Sequence, residues 1–272
     1  MTEIKCKISD LQEICQTVSL KGKDIKGKEF LPIPDFLIQA KPNESLIEAV
    51  DAGGHLAVRL QYKINTISEG LIVIGEVEKF QKYLERFNAS DEVTLTTTEN
   101  RIIITRAEPK KVARIPLASL ESLTTHQNAK TVLDKFSFSE TDYPKSQKSH
   151  LNLKLVAKAE DIKAVIDDGE VVGQRIYPWK VENGNLSVKV GTEQLGEIET
   201  IIKPSKIESD LTKVGSQKTS AGFAYGIDNI FGNLAGDVEI FLIDDVENSP
   251  LALRVKQPRL TLTAILAPVS KE

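Results

Sequence analysis

The sequence predicts an α+β fold: two similar halves built from antiparallel sheets, with two helices in each. Three observations carry this prediction. Short segments in which apolar and polar residues alternate dominate the chain, few segments show helical spacing, and the order of elements in the first half returns in the second. At 272 residues the chain has the length of two ordinary domains. With 40% hydrophobic and 27% charged residues it has the composition of a globular protein rather than a disordered one.

A first helix is expected in "SDLQEICQTVS" (9–19), which opens on a Ser-Asp cap. "LIEAV" (46–50) and "HLAVRLQY" (55–62) read as strands, and "GLIVIG" (70–75) as a short buried run. The clearest helix is "GEVEKFQKYLERFN" (75–88). "DEVTLTTTENRIIITR" (91–106) reads as a hairpin, because Val93, Leu95 and Thr97 alternate with polar partners and "TEN" supplies the turn. "KVARIPL" (111–117) adds a further strand.

The same grammar returns later. "GNLSVKVG" (184–191) pairs with "GEIETIIK" (196–203), and "DVEIFLIDDVENSPLALRV" (237–255) forms a second hairpin. "KAEDIKAVIDD" (158–168) and "AYGIDNIFGNL" (224–234) are shorter helix candidates, and "RLTLTAILAP" (259–268) is a closing strand whose apolar face something must bury. Matching Leu46 to Leu186 gives an offset of 140 residues, and Val93 to Val238 gives 145. Between the halves lies a stretch rich in Ser, Thr, Lys and Gln, too long for an ordinary loop inside a compact domain. The expected division is therefore a first domain at 1–118, a linker at 119–149 and a second domain at 150–272. Within the linker, Val132, Leu133, Phe136 and Phe138 form one apolar cluster, which either docks on a domain or takes part in binding.

Catalytic and metal chemistry find little support. The three histidines (His55, His126, His150) have no metal-ligand spacing, and no glycine-rich phosphate loop or nucleophile elbow occurs. Asp167-Asp168 and Asp244-Asp245 read as solvated residues at element ends. No enzyme, no metal and no cofactor is expected. Cys6 and Cys15 are too few for a disulfide framework and read as buried thiols. The N-terminal segment has no continuous apolar run, so a cytoplasmic location is expected, in the nucleoid or nucleus according to source, with no membrane association.

One helix carries a further pattern. In "EVEKFQKYLERF", Val77, Phe80, Leu84 and Phe87 make an apolar stripe, while Lys79, Lys82 and Arg86 recur on the opposite face. That face is either an ordinary solvated surface or a basic stripe for a polyanion. The net charge of −4 argues against a general nucleic-acid coat but leaves room for such a stripe.

Two similar halves, a long linker, "LIEAVDAGGHLAVRLQY", "EVEKFQKYLERFNASDEVTL" and a terminal "LAP" together resemble the DNA sliding clamps, most closely the two-domain proliferating cell nuclear antigen type. The resemblance implies the DNA-clamp fold, with three two-domain chains closing into a homotrimeric ring. Helices would line the hole, and Lys79, Lys82, Arg86, Lys158 and Lys163 would face duplex DNA without reading its sequence. "SDLQEICQTVS" and "AYGIDNIFGNL" depart from the family in having no lysine or arginine.

The resemblance further implies an outer hydrophobic pocket for peptides of a DNA polymerase, a clamp loader and other replication and repair proteins. Its walls would be Val50, His55, Val58, Leu234, Ile265, Leu266, Ala267 and Pro268, under a lid of Val132, Leu133, Phe136 and Phe138. For His55 a plain loop histidine is the alternative. Subunits would meet through the strands holding Val112 and Ile115 on one side and Ile198 and Ile201 on the other. Two alternatives stand beside this reading: a clamp-fold structural or protein-interaction module that does not encircle DNA, and one subunit of a heterotrimeric ring.

Overall fold

The computed structural model describes residues 1–20, 22–23, 29–30, 33–127, 137–138, 143–145, 150–173, 177–194, 196–209, 219–223, 235–244, 246–247 and 249–267. The chain divides into two compact units. Unit 1 comprises Met1–Lys21, Phe30–Thr131 and Gln257–Leu262; unit 2 comprises Gly22–Glu29, Val132–Lys256 and Thr263–Glu272.

Unit 1 runs β1 (Glu3–Lys7), α1 (Ile8–Ser19), β2 (Phe36–Ala40), β3 (Ser45–Val50), β4 (Leu56–Tyr62), β5 (Asn65–Ser68) and β6 (Gly70–Ile74). It continues with α2 (Val77–Leu84), β7 (Glu92–Thr97), β8 (Arg101–Arg106) and β9 (Lys111–Pro116). The strands order as β9-β8-β7-β1-β5 in one sheet and β4-β3-β2-β6 in another.

Unit 2 runs β10 (Leu153–Lys158), α3 (Ala159–Val171), β11 (Tyr177–Glu182), β12 (Asn185–Thr192), β13 (Gly196–Ile202), β14 (Lys206–Ser209) and β15 (Thr219–Phe223). Then come β16 (Asp237–Leu242), β17 (Leu251–Lys256) and β18 (Leu260–Leu266). Their order, β18-β17-β16-β10-β14 and β13-β12-β11-β15, repeats that of unit 1 position by position. β18 counts with unit 1 up to Leu262 and with unit 2 from Thr263. The strand pairs whose registers are resolved are all antiparallel.

The expected hairpin forms as its alternation dictates. Thr97 pairs with Ile102 across the turn, and Val93, Leu95 and Thr97 all point into the core. Helix α2 follows its stripe: Val77, Phe80 and Leu84 are buried, and Phe80 meets Phe36 edge-on at 6.5 Å between ring centroids. Helix α1 begins one residue before the expected cap. Asp10 receives the backbone N–H of Lys7 at 2.9 Å, so the acidic cap acts from inside the first turn.

Several expectations are corrected. The 140-residue match of Leu46 to Leu186 breaks the two-residue period of a strand: Leu46 is partly exposed, whereas Leu186 is buried beside Val188 and Val190. Ser45 and Ile47, on either side of it, are buried. The second helix ends at Leu84 rather than Asn88, because the backbone tightens there; Arg86 donates to Tyr83 and Phe87 to Leu84. Asp167-Asp168 does not end its helix, which continues to Val171, and Asp168 accepts a hydrogen bond from Thr200 at 2.9 Å. Helix candidate 224–234 lies outside the described residues.

Both thiols are buried, as expected. Burial, aided by the negative charge of Asp10, pushes the Cys6 thiol up to about 12. Among the described residues, no helix is long and apolar enough to cross a membrane.

Truncating the anchor of α2 tests the packing. Phe80→Ala removes a 2%-exposed ring between the helix and β2 and is expected to cost about 3–5 kcal/mol in urea unfolding. A loss below about 1 kcal/mol would mean that the helix is not held by this stripe.

Candidate functional site

The cations expected on helices divide into groups. Lys79 and Lys82 are exposed on α2, and Lys79 lies 3.4 Å from Glu76. Arg86 is also exposed, but it stands on the closing turn rather than on the helix. Lys158 is spent on a local partner: its ammonium pairs with Asp237, a hydrogen bond that raises its pKa. Lys163 is exposed on α3, in company with exposed Glu160, Asp161, Asp167 and Glu170. The described helices thus present a mixed face on α2, an acidic face on α3, and no lysine or arginine on α1.

In unit 1, Val50 and Val58 are fully buried on the paired strands β3 and β4, where Val50 faces Ala57 and Val58 faces Ala49. His55 is exposed in the loop between them. Its backbone N–H, like that of Leu56, donates to Asp51 at 2.8 Å, so the loop is shaped by the aspartate.

Residues 123–125, expected from the sequence to open a linker but part of unit 1, are pinned beside this point. Buried Asp35 accepts the backbone N–H groups of Thr124 and Thr125, both at 2.8 Å. The Thr125 hydroxyl donates to the Asp35 carbonyl at 2.9 Å and accepts the Val50 N–H at 3.1 Å. Leu123 adds an apolar anchor on Leu37 and Val73, with Leu117, Ala118 and Leu120 packed against them.

In unit 2, Ile265 joins Leu151, Phe241 and Ala252 in a buried cluster, with Tyr143 and Ile243 packed against it. Leu266 is buried and Ala267 exposed. Tyr143 was not foreseen. It stacks edge-on against Phe241 at 5.9 Å and against His150 at 6.3 Å, making it the linker residue that covers the cluster among those described. Its signal was a lone aromatic before a proline at the linker's far end. Of the expected lid, Val132, Leu133 and Phe136 lie outside the described residues, as do Leu234 and Pro268. Phe138 falls in a two-residue strand, Ser137–Phe138, paired with Pro144–Lys145.

Phe241 is also ringed by charge. The Arg254 guanidinium sits 4.9 Å from its ring and donates to Glu239 at 2.6 Å, while Lys154 reaches Glu239 at 2.7 Å. Burial works to raise the Glu239 carboxyl, but these donors and their charges outweigh it and hold the pKa below the usual range.

The expected subunit-contact residues sit on two sheet ends. β9 closes one sheet of unit 1 and β13 one sheet of unit 2; no described strand lies beyond either. Ile201 on β13 is 65% exposed, Ile198 and Val112 are half-buried, and Ile115 is 6% exposed. The side chain of Ile115 therefore belongs to its own unit's core, so a polar substitution there would test folding rather than a seam.

PCNA from Thermococcus kodakaraensis superposes with a TM-score of 0.69 at 15% identity, over 99% of this chain and 100% of that one. A. fulgidus PCNA, solved with the C-terminal region of FEN-1 bound, gives 0.70 at 11% identity over 100% of both chains. A putative DNA polymerase III beta subunit from Eubacterium rectale gives 0.70 at 14% identity, over 99% of this chain and 66% of that longer one. No family model matches the sequence, and no curated protein matches it. The chain has the fold of the DNA sliding clamps.

Two substitutions test the site's construction. Thr125→Val leaves the Val50 N–H and the Asp35 carbonyl without their hydroxyl partner, at an expected cost of about 1–3 kcal/mol in urea unfolding. Full stability would show that the linker is held otherwise. For Glu239 the folded pKa is depressed, so its contribution is present at neutral pH and is lost as pH falls through that lowered value. Glu239→Gln is expected to cost about 1.5–3 kcal/mol at pH 7, with the gap to wild type closing as pH falls out of the ordinary carboxylate range and through that lowered value. A gap that does not change with pH would contradict the charged network.

Proposed function

We propose that this chain is a DNA sliding clamp: copies close into a ring around duplex DNA and tether replication and repair proteins without catalysing a reaction. The observation that carries the reading is that the chain superposes on clamp chains over its whole length, while β9 in the first repeat and β13 in the second are sheet ends with no described strand beyond them. Unpaired apolar edges invite strand pairing, and a chain with one such edge in each repeat is suited to link head to tail. Val112 and Ile115 mark one side of the seam, Ile198 and Ile201 the other.

In this reading Lys79, Lys82 and Arg86 make the principal contacts to phosphate, and Lys163 a lesser one. Lys158, engaged by Asp237, contributes least. Partner peptides seat an aromatic or aliphatic anchor against the Ile265 cluster on unit 2, with Tyr143 as the movable cover. A. fulgidus PCNA, which carries the C-terminal region of FEN-1, supplies the analogy for such a partner. The domain plan 1–118, 119–149 and 150–272 belongs to the same reading.

The acidic face of α3 favours a second reading, a clamp-fold interaction module that does not encircle DNA. Salt dependence of duplex binding separates the two. Replacing Lys79, Lys82 and Arg86 by alanine is expected to flatten the slope of log affinity against log salt by about one unit for each phosphate no longer neutralised. An unchanged slope, or no binding by wild type at low salt, would favour the module.

A further inference from the structure

We propose that a cleft at the start of α1 in unit 1 binds a small polyphosphate anion, of the inorganic diphosphate or tripolyphosphate class, held by Lys5, Lys7, Lys63 and Arg259. The inference goes beyond the clamp reading and does not rest on it, because every lining residue belongs to unit 1 of a single chain.

The cleft has a volume of about 490 Å³, the size of a small-molecule site. Its charged lining sets four cations against two carboxylates, Asp10 and Glu92, in a chain whose net charge is −4. A concave wall with an excess of one sign focuses the field and draws in a counter-ion. None of the lining residues is aromatic, so no ring face is offered for a base to stack on. That favours a compact anion over a nucleotide.

Local structure gathers the cations. Two residues apart on β1, Lys5 and Lys7 project from one face, opposite buried Ile4 and Cys6. Both are exposed and make none of the ion pairs found among the described residues. Arg259 is fixed in place: its Nη2 donates to buried Asp10 at 2.7 Å, and its guanidinium lies 5.4 Å from the Tyr62 ring. Its side chain is still 57% exposed, so the rest of the fork stays open to phosphate oxygens. Lys63 is tied to the same turn, its backbone N–H donating to the Arg259 carbonyl and its ammonium to the Pro258 carbonyl, both at 2.9 Å. The ammonium keeps donors to spare. The backbone at the helix start is already engaged: Lys7 donates to Asp10, Ile8 to Asp91 and Ser9 to Ala89. The side-chain cations, not the helix end, make the site.

The second repeat supplies an internal comparison. β10, the counterpart of β1, also ends on a lysine before its helix, and that Lys158 closes an ion pair with its cross-strand neighbour Asp237. Lys7 has Glu92 as cross-strand neighbour at the same position, yet no ion pair joins them among the described residues. Lys5, two residues earlier, has apolar Val156 as its counterpart. The first repeat thus adds a cation and leaves both lysines unneutralised where the second is closed. Glu92 is then free to accept the hydroxyl of a protonated terminal phosphate.

Calorimetric titration of the full chain with inorganic diphosphate and with tripolyphosphate, at about 0.15 M salt, tests the site. One anion per chain is expected, with a Kd below about 1 mM. The double variant K5Q/K7Q changes only exposed side chains and is expected to bind at least about tenfold more weakly. K79Q/K82Q, on α2, is expected to stay within about twofold of wild type. Circular dichroism checks that both variants fold. The site is overturned if wild type shows no binding at about 10 mM anion, if K5Q/K7Q binds as wild type does, or if the two variants lose affinity equally. Duplex DNA that displaces diphosphate from wild type, with a flatter salt slope in K5Q/K7Q, would overturn the small anion and give the cleft to DNA. These readings are the same for a monomer and for a ring, so failure of the site leaves the clamp reading standing.

Discussion

The fate of strand edges governs this structure. A β-strand satisfies its backbone donors and acceptors through neighbours on both sides, and a sheet that ends leaves a row of them open. Here one sheet plan, five strands and four, is used twice, so the positions of the unsatisfied rows are fixed by the plan. Everything proposed about assembly follows from which of those rows the chain fills itself and which it leaves. The helices and the outer-face clusters are attached to that frame: α2 by Phe80 on Phe36, the linker by Thr125 on Asp35 and Val50.

Much of the frame is legible in the sequence, for a physical reason. The hairpin at 91–106 alternates so regularly that Val93, Leu95 and Thr97 could face only one way. The stripe of α2 has a 3.6-residue period and no competitor. By contrast β5 carries too few apolar residues to show a period, and in β1 the alternation rests on Ile4 and Cys6 alone, although β1 lies in the interior of its sheet between β7 and β5. Their strand character comes from neighbours far along the chain, which local pattern does not record.

The candidate site was less legible, because its chemistry depends on long-range partners. Nothing near Lys158 in sequence announces Asp237, yet the two side chains pair on the surface. Asp168 reads as a helix end until Thr200 is seen to donate to it from the edge strand. Ile115 sits on an open backbone edge while its side chain serves the core, since a strand presents its backbone and its side chains in perpendicular directions. Tyr143 gains meaning only from Phe241, about a hundred residues further on, which an edge-on stack brings to it.

Head-to-tail linkage through open edges leads to a closed ring or to an open filament, depending only on whether the rotation from copy to copy returns to its start. The absolute mass of the purified wild-type chain, measured by light scattering over a concentration series, therefore tests the central claim most directly. The account predicts a plateau at three times the 30.0 kDa of one chain. A mass that stays at one chain, or one that keeps growing with concentration, would contradict it.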